Sequence, residues 1–233
     1  MRMNEIKDRI IWWCPKTTLL LVKVISLRDF QNEEFWNTIT HFAGFILCLV
    51  GIPLLFYFNQ NLTSLSFIAC FLFSLGLLMV YGSSSAYHFV TDQQLKKKLR
   101  ILDHISIYYL ILGSYAPMCL IALYDSSGLT IFLTILILAI IGTIKKLFFT
   151  GKYRFISLFL YLLMGWMIVF YIRSFVELID VRALVLIALG GLSYTFGVVF
   201  YTRDKKKYFH AIWHLFVLGG SIFHYLAVLL YIV

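Results

Sequence analysis

Two histidines near the end of the chain have the spacing of a metal-binding pair. His210 and His214 are separated by three residues in the segment HAIWH. If this segment is helical, both imidazole rings lie on one helix face, one turn apart. They can then offer two nitrogen atoms to one tetrahedral Zn²⁺ ion. For the pair alone, structural histidines that bind no metal are the alternative.

A third histidine and an aspartate should lie at the same depth as this pair. His88 ends one long apolar run, Asp103 begins the next, and His210 and His214 begin the last. Ionisable residues inside a bilayer are costly, so several at one depth need a shared reason, and a bound metal ion provides one. Three neutral imidazoles would leave the fourth position of a zinc ion open for water, as in catalytic sites.

Asp103 and Ser84 are the candidates for chemistry beside the metal. Asp103 could act as a general base toward a water on the metal, or orient a ligand. The alternative is that it caps its helix or occupies the first turn. Ser84 precedes His88 by four residues and could hydrogen-bond this water or a substrate carbonyl. A helix serine that bonds its own backbone is the alternative.

Four further polar residues are predicted to support the site or to line a cavity beside it. Glu34, Asn37 and His41 follow one another at spacings of three and four, which places them on one stripe of a helix. They could form a network around the metal ligands, or serve in capping and polar helix packing. His224 lies about 15 Å beyond His214 along a helix, too far for the same ion, and should line the cavity or pack.

The composition places these residues in a membrane. The chain has 233 residues, of which 61% are hydrophobic and 13% charged, and its mean hydropathy is +0.89. Soluble domains carry about 25% charged residues, so we predict an all-α integral membrane protein. Seven apolar runs are long enough to span a bilayer as helices. They cover residues 37–58, 64–89, 101–123, 129–144, 155–172, 183–201 and 211–233.

The basic residues predict the orientation of this bundle. Eighteen of the 20 Lys and Arg residues fall in the N-terminal segment and in every second connection. Because Lys and Arg resist translocation, we expect the N-terminus in the cytoplasm and the C-terminus outside. All histidines except His224 then lie near the cytoplasmic face. The net charge of +9 fits this rule and contact with anionic lipids, so nucleic-acid binding is not needed to explain it.

The chain divides into two predicted regions. Residues 1–33 form a basic segment in which Trp12, Trp13 and the flanking lysines suit a helix lying in the headgroup layer. An eighth span over residues 10–27 is the alternative, which Lys16 and Lys23 oppose by their charge. Residues 34–233 form the seven-helix domain.

Four segments carry a family pattern. They are EFWNTITH at 34–41, SSAYH at 84–88, LDHISIYYLILGSYAP at 102–117 and HAIWHLFVLGGSIFH at 210–224. In these segments the chain resembles the hemolysin III branch of the progestin and adiponectin receptor family. The resemblance implies seven helices with the N-terminus inside and zinc near the cytoplasmic face. It also implies His88, His210 and His214 as zinc ligands, with Asp103 holding the zinc-bound water and Ser84 beside it.

The resemblance further implies what such a site does. The wider superfamily includes alkaline ceramidases, and the adiponectin-receptor branch is associated with ceramide hydrolysis. The bacterial branch is named for hemolysis and is linked to membrane-energetics phenotypes. We therefore expect a zinc-dependent hydrolase of a lipid amide or ester in a bacterial plasma membrane, with membrane lipids as its partners. The alternatives are a pore-forming, cytolytic or membrane-homeostasis protein, and a receptor or sensor that uses zinc structurally.

Overall fold

A computed structural model of the protein describes residues 32–150 and 153–233 and shows an all-helical chain. Seven helices are long and apolar enough to cross a membrane, and the described residues contain no strand. This confirms the predicted seven-helix class. The helices are α1 (Glu33–Phe58), α2 (Ser66–Phe89), α3 (Gln93–Ala122), α4 (Gly128–Phe149), α5 (Arg154–Leu178), α6 (Val181–Thr202) and α7 (Phe209–Tyr231). The predicted headgroup helix and the alternative eighth span lie outside the described residues.

Helix α3 begins earlier than the sequence predicted. It starts at Gln93 rather than at residue 101, and the Asp92 carboxylate caps it by accepting the backbone N–H of Leu95 at 2.7 Å. Lys and Arg are good helix formers whose charged ends can reach water, so the basic run there continues the helix instead of forming a loop. Asp103 is therefore well inside α3, and the interpretation as a helix cap or first-turn acid is wrong.

Helices α4 and α5 are also longer than predicted, and α5 is interrupted. Its α-helical parts, Arg154–Gly165 and Ile172–Leu178, are joined through a 3₁₀ turn over Met167–Tyr171. The Tyr115 hydroxyl of α3 donates to the Gly165 carbonyl at 2.9 Å and accepts the Ile168 N–H at 3.1 Å. Irregular backbone in a membrane requires such internal partners.

The helices pack with unequal tightness. The closest neighbours are α2 with α3 and α6 with α7, and α1 packs against both α2 and α7. A Cβ on Gly44 of α1 would lie only 2.4 Å from the Tyr81 ring of α2, so this contact needs a glycine. In contrast, α5 and α6 meet mainly where Ile172–Leu178 approaches the start of α6.

The charged residues distinguish the two ends of the bundle. Every described Lys and Arg except Arg173 and Arg182 lies where α1, α3, α5 and α7 begin and α2, α4 and α6 end. We call this the basic end. The charge asymmetry is the pattern from which a cytoplasmic basic end was predicted, and the orientation in the membrane stays a prediction.

Candidate metal centre

Three histidines from two helices converge at the basic end. One ring nitrogen each of His88 on α2 and of His210 and His214 on α7 lies within 4.8 Å of the others. The ring centroids are 5.1 Å apart for His88 and His210, 5.2 Å for His88 and His214, and 4.6 Å for the pair on α7. His88 and His214 are buried, and His210 is half-buried. This group could bind one metal ion.

The hydrogen bonding of His88 leaves one nitrogen available for a metal. Its Nδ1 lies 2.6 Å from Oε2 of Glu34. An ionised carboxylate only accepts hydrogen bonds, so Nδ1 carries the proton and Nε2 keeps its lone pair. Nε2 of His88 is buried and has no hydrogen-bond partner among the described residues. A carboxylate behind a histidine is the usual support of a metal ligand, so this histidine fits the role.

His214 is held in the same tautomer by α1. Its Nδ1 lies 3.1 Å from the backbone carbonyl of Asn37 and 3.1 Å from Oγ1 of Thr40. A carbonyl can only accept, so Nδ1 again donates and Nε2 keeps a free lone pair. Two of the three histidines therefore present the same nitrogen, because residues of one neighbouring helix fix their rings.

The first turns of α1 hold both helices that carry the candidate ligands. Glu34 contacts His88 of α2, whereas the adjacent Glu33 accepts the backbone N–H of Tyr208, which immediately precedes α7. Tyr208 has a left-handed backbone with φ of 64°, which turns the chain into α7. Sequence reasoning selected Glu34 and Asn37 but missed Glu33 and Thr40, although both lie in or beside the segment EFWNTITH.

His41 is next to the three histidines without belonging to their nitrogen cluster. It is buried two turns into α1, and its ring centroid lies 3.7 Å from that of His214 and 5.2 Å from that of Tyr81. The ring therefore packs between the candidate ligand and the core. This is a position beside the site, where the sequence expected a supporting or cavity residue.

An internal cavity of about 110 Å³ extends from the histidines into the bundle. Ser84 and Asp103 line it and are almost completely buried, at 1% and 9% exposure. The Asp103 carboxyl is near the Ser84 hydroxyl and within electrostatic range of His88. The structure thus brings Ser84 and Asp103 together with the three histidines. Further polar side chains at this end of the cavity come from His41, His104, His210 and His214.

The far part of the cavity is mostly apolar and ends near His224. His224 lines the cavity, and its Nε2–H donates to the Ile187 carbonyl at 3.2 Å. It stays outside the nitrogen cluster, as expected from its depth on α7. The remaining wall here is formed largely by aliphatic and aromatic side chains, among them Ile107, Leu110, Ile111, Leu158, Leu162 and Val217.

The cavity reaches the bundle surface between α5 and α6. Four residues border this gap, which we call the seam: Gly165, Trp166, Gly191 and Thr195. A Cβ on either glycine would meet no atom of the described residues within 4 Å. The Trp166 indole N–H donates to the Thr195 hydroxyl at 3.1 Å and is a direct link across the seam.

Comparison with known proteins agrees with this architecture. The Haemolysin-III related family model matches residues 30–225. The chain is 37% identical over 203 residues to "Hemolysin-3 homolog" of Bacillus subtilis (strain 168), covering 87% of this chain and 95% of the relative. It is 35% identical over 211 residues to "Hemolysin-3" of Bacillus cereus, covering 90% and 96%.

A human protein is also similar. "Monocyte to macrophage differentiation factor" of Homo sapiens is 30% identical over 208 residues, covering 86% of this chain and 84% of the relative. The family model extends over nearly all of the described bundle, including both helices that carry the histidine cluster. This chain therefore belongs to the haemolysin-III-related family of multi-pass membrane proteins.

Proposed function

We propose that the protein is a zinc-dependent hydrolase that cleaves an amide or ester bond in a membrane lipid, as ceramidases do. The observation that carries the proposal is the convergence of His88, His210 and His214 beside a buried carboxyl and hydroxyl. A structural zinc site is normally closed by four protein ligands, whereas catalytic sites keep one position open. In the described part of the chain the cluster contains three ligands and no cysteine.

The donor set suits zinc. Neutral imidazole nitrogens are favoured ligands of this metal, and the free cysteines Cys48, Cys70 and Cys119 are not members of the cluster. When bound, zinc would polarise a scissile carbonyl and lower the pKa of a water molecule toward neutrality. His88 and His214 would hold it through Nε2, since their Nδ1 protons are committed to α1.

Asp103 would transfer the proton, and Ser84 would hydrogen-bond the water or the substrate carbonyl. The Asp103 carboxylate would accept a proton from the attacking water and return it to the nitrogen or oxygen of the leaving group. The Ser84 hydroxyl, on the same cavity wall, would hydrogen-bond the water or the substrate carbonyl oxygen. Both side chains are buried, so bulk water competes little for these contacts.

The cavity favours a lipid substrate over a water-soluble one. Along α7 it extends from His210 to His224, a rise of about 21 Å at 1.5 Å per residue. That is more than half of a hydrocarbon core of about 30 Å. The apolar tail would enter through the seam from the bilayer, where it is already solvated, and the polar linkage would stop at the histidines.

Metal analysis combined with a substrate panel tests the proposal. Purified full-length protein should contain about one zinc per chain and hydrolyse at least one member of a broad panel of lipid amides and esters. Chelation should abolish turnover and zinc should restore it. Asp103→Asn should retain zinc and lose turnover. Stoichiometric zinc without turnover on any lipid would contradict the proposal.

Membrane lysis is a second candidate, because the Bacillus cereus relative carries the name "Hemolysin-3". Planar-bilayer recording separates it from metal chemistry. Conductance that survives His88→Ala and His210→Ala would favour a channel.

Zinc could also serve a receptor or sensor only as a structural brace. In that case chelation would lower the melting temperature strongly, because the metal binds the folded state, while no lipid would be hydrolysed.

A further inference from the structure

One lysine of the basic run at the start of α3 contacts the support of the metal centre. The Lys96 ammonium lies 3.0 Å from Oε1 of Glu34, whose other oxygen, Oε2, lies 2.6 Å from Nδ1 of His88. The Lys96 side chain is 20% exposed, and its ammonium lies 5.3 Å from the centroid of the Tyr87 ring. Charge patterning assigned Lys96 only to orientation in the membrane. The early start of α3 brings it to the site.

We propose that Lys96 is a positioning residue of the metal centre and acts through Glu34. It binds one carboxylate oxygen so that the other faces Nδ1–H of His88, which directs Nε2 of His88 toward the ion. This inference rests on the proposed zinc site.

The exposure of Glu34 explains why such a residue is needed. The Glu34 side chain is 43% exposed, so without a second partner its carboxylate has several rotamers available. Confining it to one rotamer costs conformational entropy, and a hydrogen-bonded ammonium offsets that cost. The His88 ring then keeps its orientation even before the metal binds, because both oxygens of its acceptor are held.

The neighbouring lysines provide an internal contrast. Lys97 and Lys98 are exposed, and neither has an ion-pair partner among the described residues. All three lysines add the same charge near the basic end, but only Lys96 reaches a carboxylate that contacts a candidate ligand. Any effect specific to Lys96 must therefore come from its contact and not from the charge of the run.

The sign of the effect separates positioning from simple electrostatics. A cation near a divalent metal repels it, so loss of charge alone should strengthen zinc binding. Loss of a residue that positions Glu34 should weaken zinc binding instead. The two explanations predict opposite changes for the same variant.

The test measures zinc affinity of the purified full-length protein by competition with a chromophoric chelator. Lys96→Met should weaken zinc binding about three- to fivefold, the effect of a partly exposed ion pair. Lys97→Met, the matched control, should leave the affinity unchanged or slightly increased. Lys96→Arg should restore most of the affinity, because it keeps the charge and the hydrogen-bond donors. Glu34→Gln should weaken binding about 10- to 100-fold.

A double variant and a spectrum complete the test. In the Glu34→Gln background, Lys96→Met should cause no further loss. The visible spectrum of the Co²⁺-loaded protein should change in Lys96→Met and return in Lys96→Arg, since it reports the geometry at the metal. If Lys96→Met does not fold, Lys96→Gln serves as the second neutral variant under the same expectations.

Three results would overturn the inference. They are unchanged or tighter zinc binding by the neutral Lys96 variants, an equal loss in Lys97→Met, and an additive loss in the Glu34→Gln background. A wild-type protein that binds no zinc would overturn the proposed function together with this inference. Zinc binding without lipid hydrolysis would remove only the hydrolase and leave the role of Lys96 intact.

Discussion

The two sides of the cavity differ in how their helices are held together. On one side, α1 packs against both α2 and α7, and it fixes the rings of His88 and His214 through hydrogen bonds. We call these three helices the ligand wall. On the other side is the seam, where α5 and α6 are linked by the hydrogen bond from Trp166 to Thr195. The proposed metal centre needs fixed nitrogens, whereas the proposed lipid substrate needs a wall that can admit it, and this arrangement would separate the two requirements.

Removal of two candidate ligands from the ligand wall should have the largest effect on zinc binding. His210→Ala combined with His214→Ala should abolish zinc binding, because only one imidazole of the cluster would remain. Elemental analysis of the purified variant should find less than about one tenth of the wild-type zinc. His224→Gln, another histidine change on α7 but outside the cluster, should keep its zinc. Loss of zinc in that control would show that α7 as a whole, and not the cluster, determines binding.

A blocked seam should affect substrate turnover and spare the metal. Gly191→Leu places a side chain at the mouth of the cavity, where a Cβ would meet no described residue within 4 Å. Hydrolysis of the best lipid found in the panel should fall about tenfold or more, because the lipid can no longer reach the reactive position. Zinc content should stay at the wild-type level. Unchanged turnover would mean that lipid does not enter here.

A matched pair of alanine substitutions compares packing on the two sides. Gly44→Ala forces a methyl group against the buried Tyr81 ring and should reduce the free energy of unfolding by about 1–3 kcal/mol. Gly191→Ala places a methyl group with no described atom within 4 Å and should not reduce it, because alanine is favoured over glycine inside a helix by about 0.5–1 kcal/mol. Thermal unfolding in one detergent measures both. Equal destabilisation would remove the distinction between the ligand wall and the seam.

Loss of the Thr40 hydroxyl, which contacts Nδ1 of His214, should weaken zinc binding only slightly. Thr40→Val removes one of two acceptors for Nδ1–H, while the Asn37 carbonyl remains. Zinc affinity should fall about two- to fivefold, corresponding to about 0.5–1 kcal/mol for one hydrogen bond. The control is Thr38→Val, which should bind zinc as the wild type does, because the Thr38 hydroxyl donates to the Glu34 carbonyl and contacts no candidate ligand among the described residues. An equal loss in both variants would point to a general effect on α1.

The features that depend on a local pattern of residues could be predicted from the sequence. Apolar runs of spanning length predicted seven helices, and the four-residue spacing of His210 and His214 placed them on one face. Depth in the membrane then selected His88 and Asp103 from other helices. These inferences work because a bilayer constrains helix length and the cost of burying a polar group.

The features that the sequence did not reveal depend on contacts between distant segments. In the sequence, Glu33 and Lys96 resemble ordinary charged residues at helix ends. In the structure, Glu33 accepts the Tyr208 N–H and Lys96 binds Glu34. The interruption of α5 depends on a hydroxyl from α3, which no local pattern contains. Charge counting assigned Lys96 to a cytoplasmic connection, but a basic run of this kind can equally well form the first turns of a helix.

The hydrogen bond between His214 and Thr40 joins α7 to α1 across 174 residues of chain. A ribosome synthesises α1 well before α7, so the nitrogens cannot assemble until α7 has been made. Metal uptake by the proposed centre would therefore require a chain that contains both α1 and α7. A chain cut short before α7 would lack His210 and His214 and could not form the three-histidine cluster.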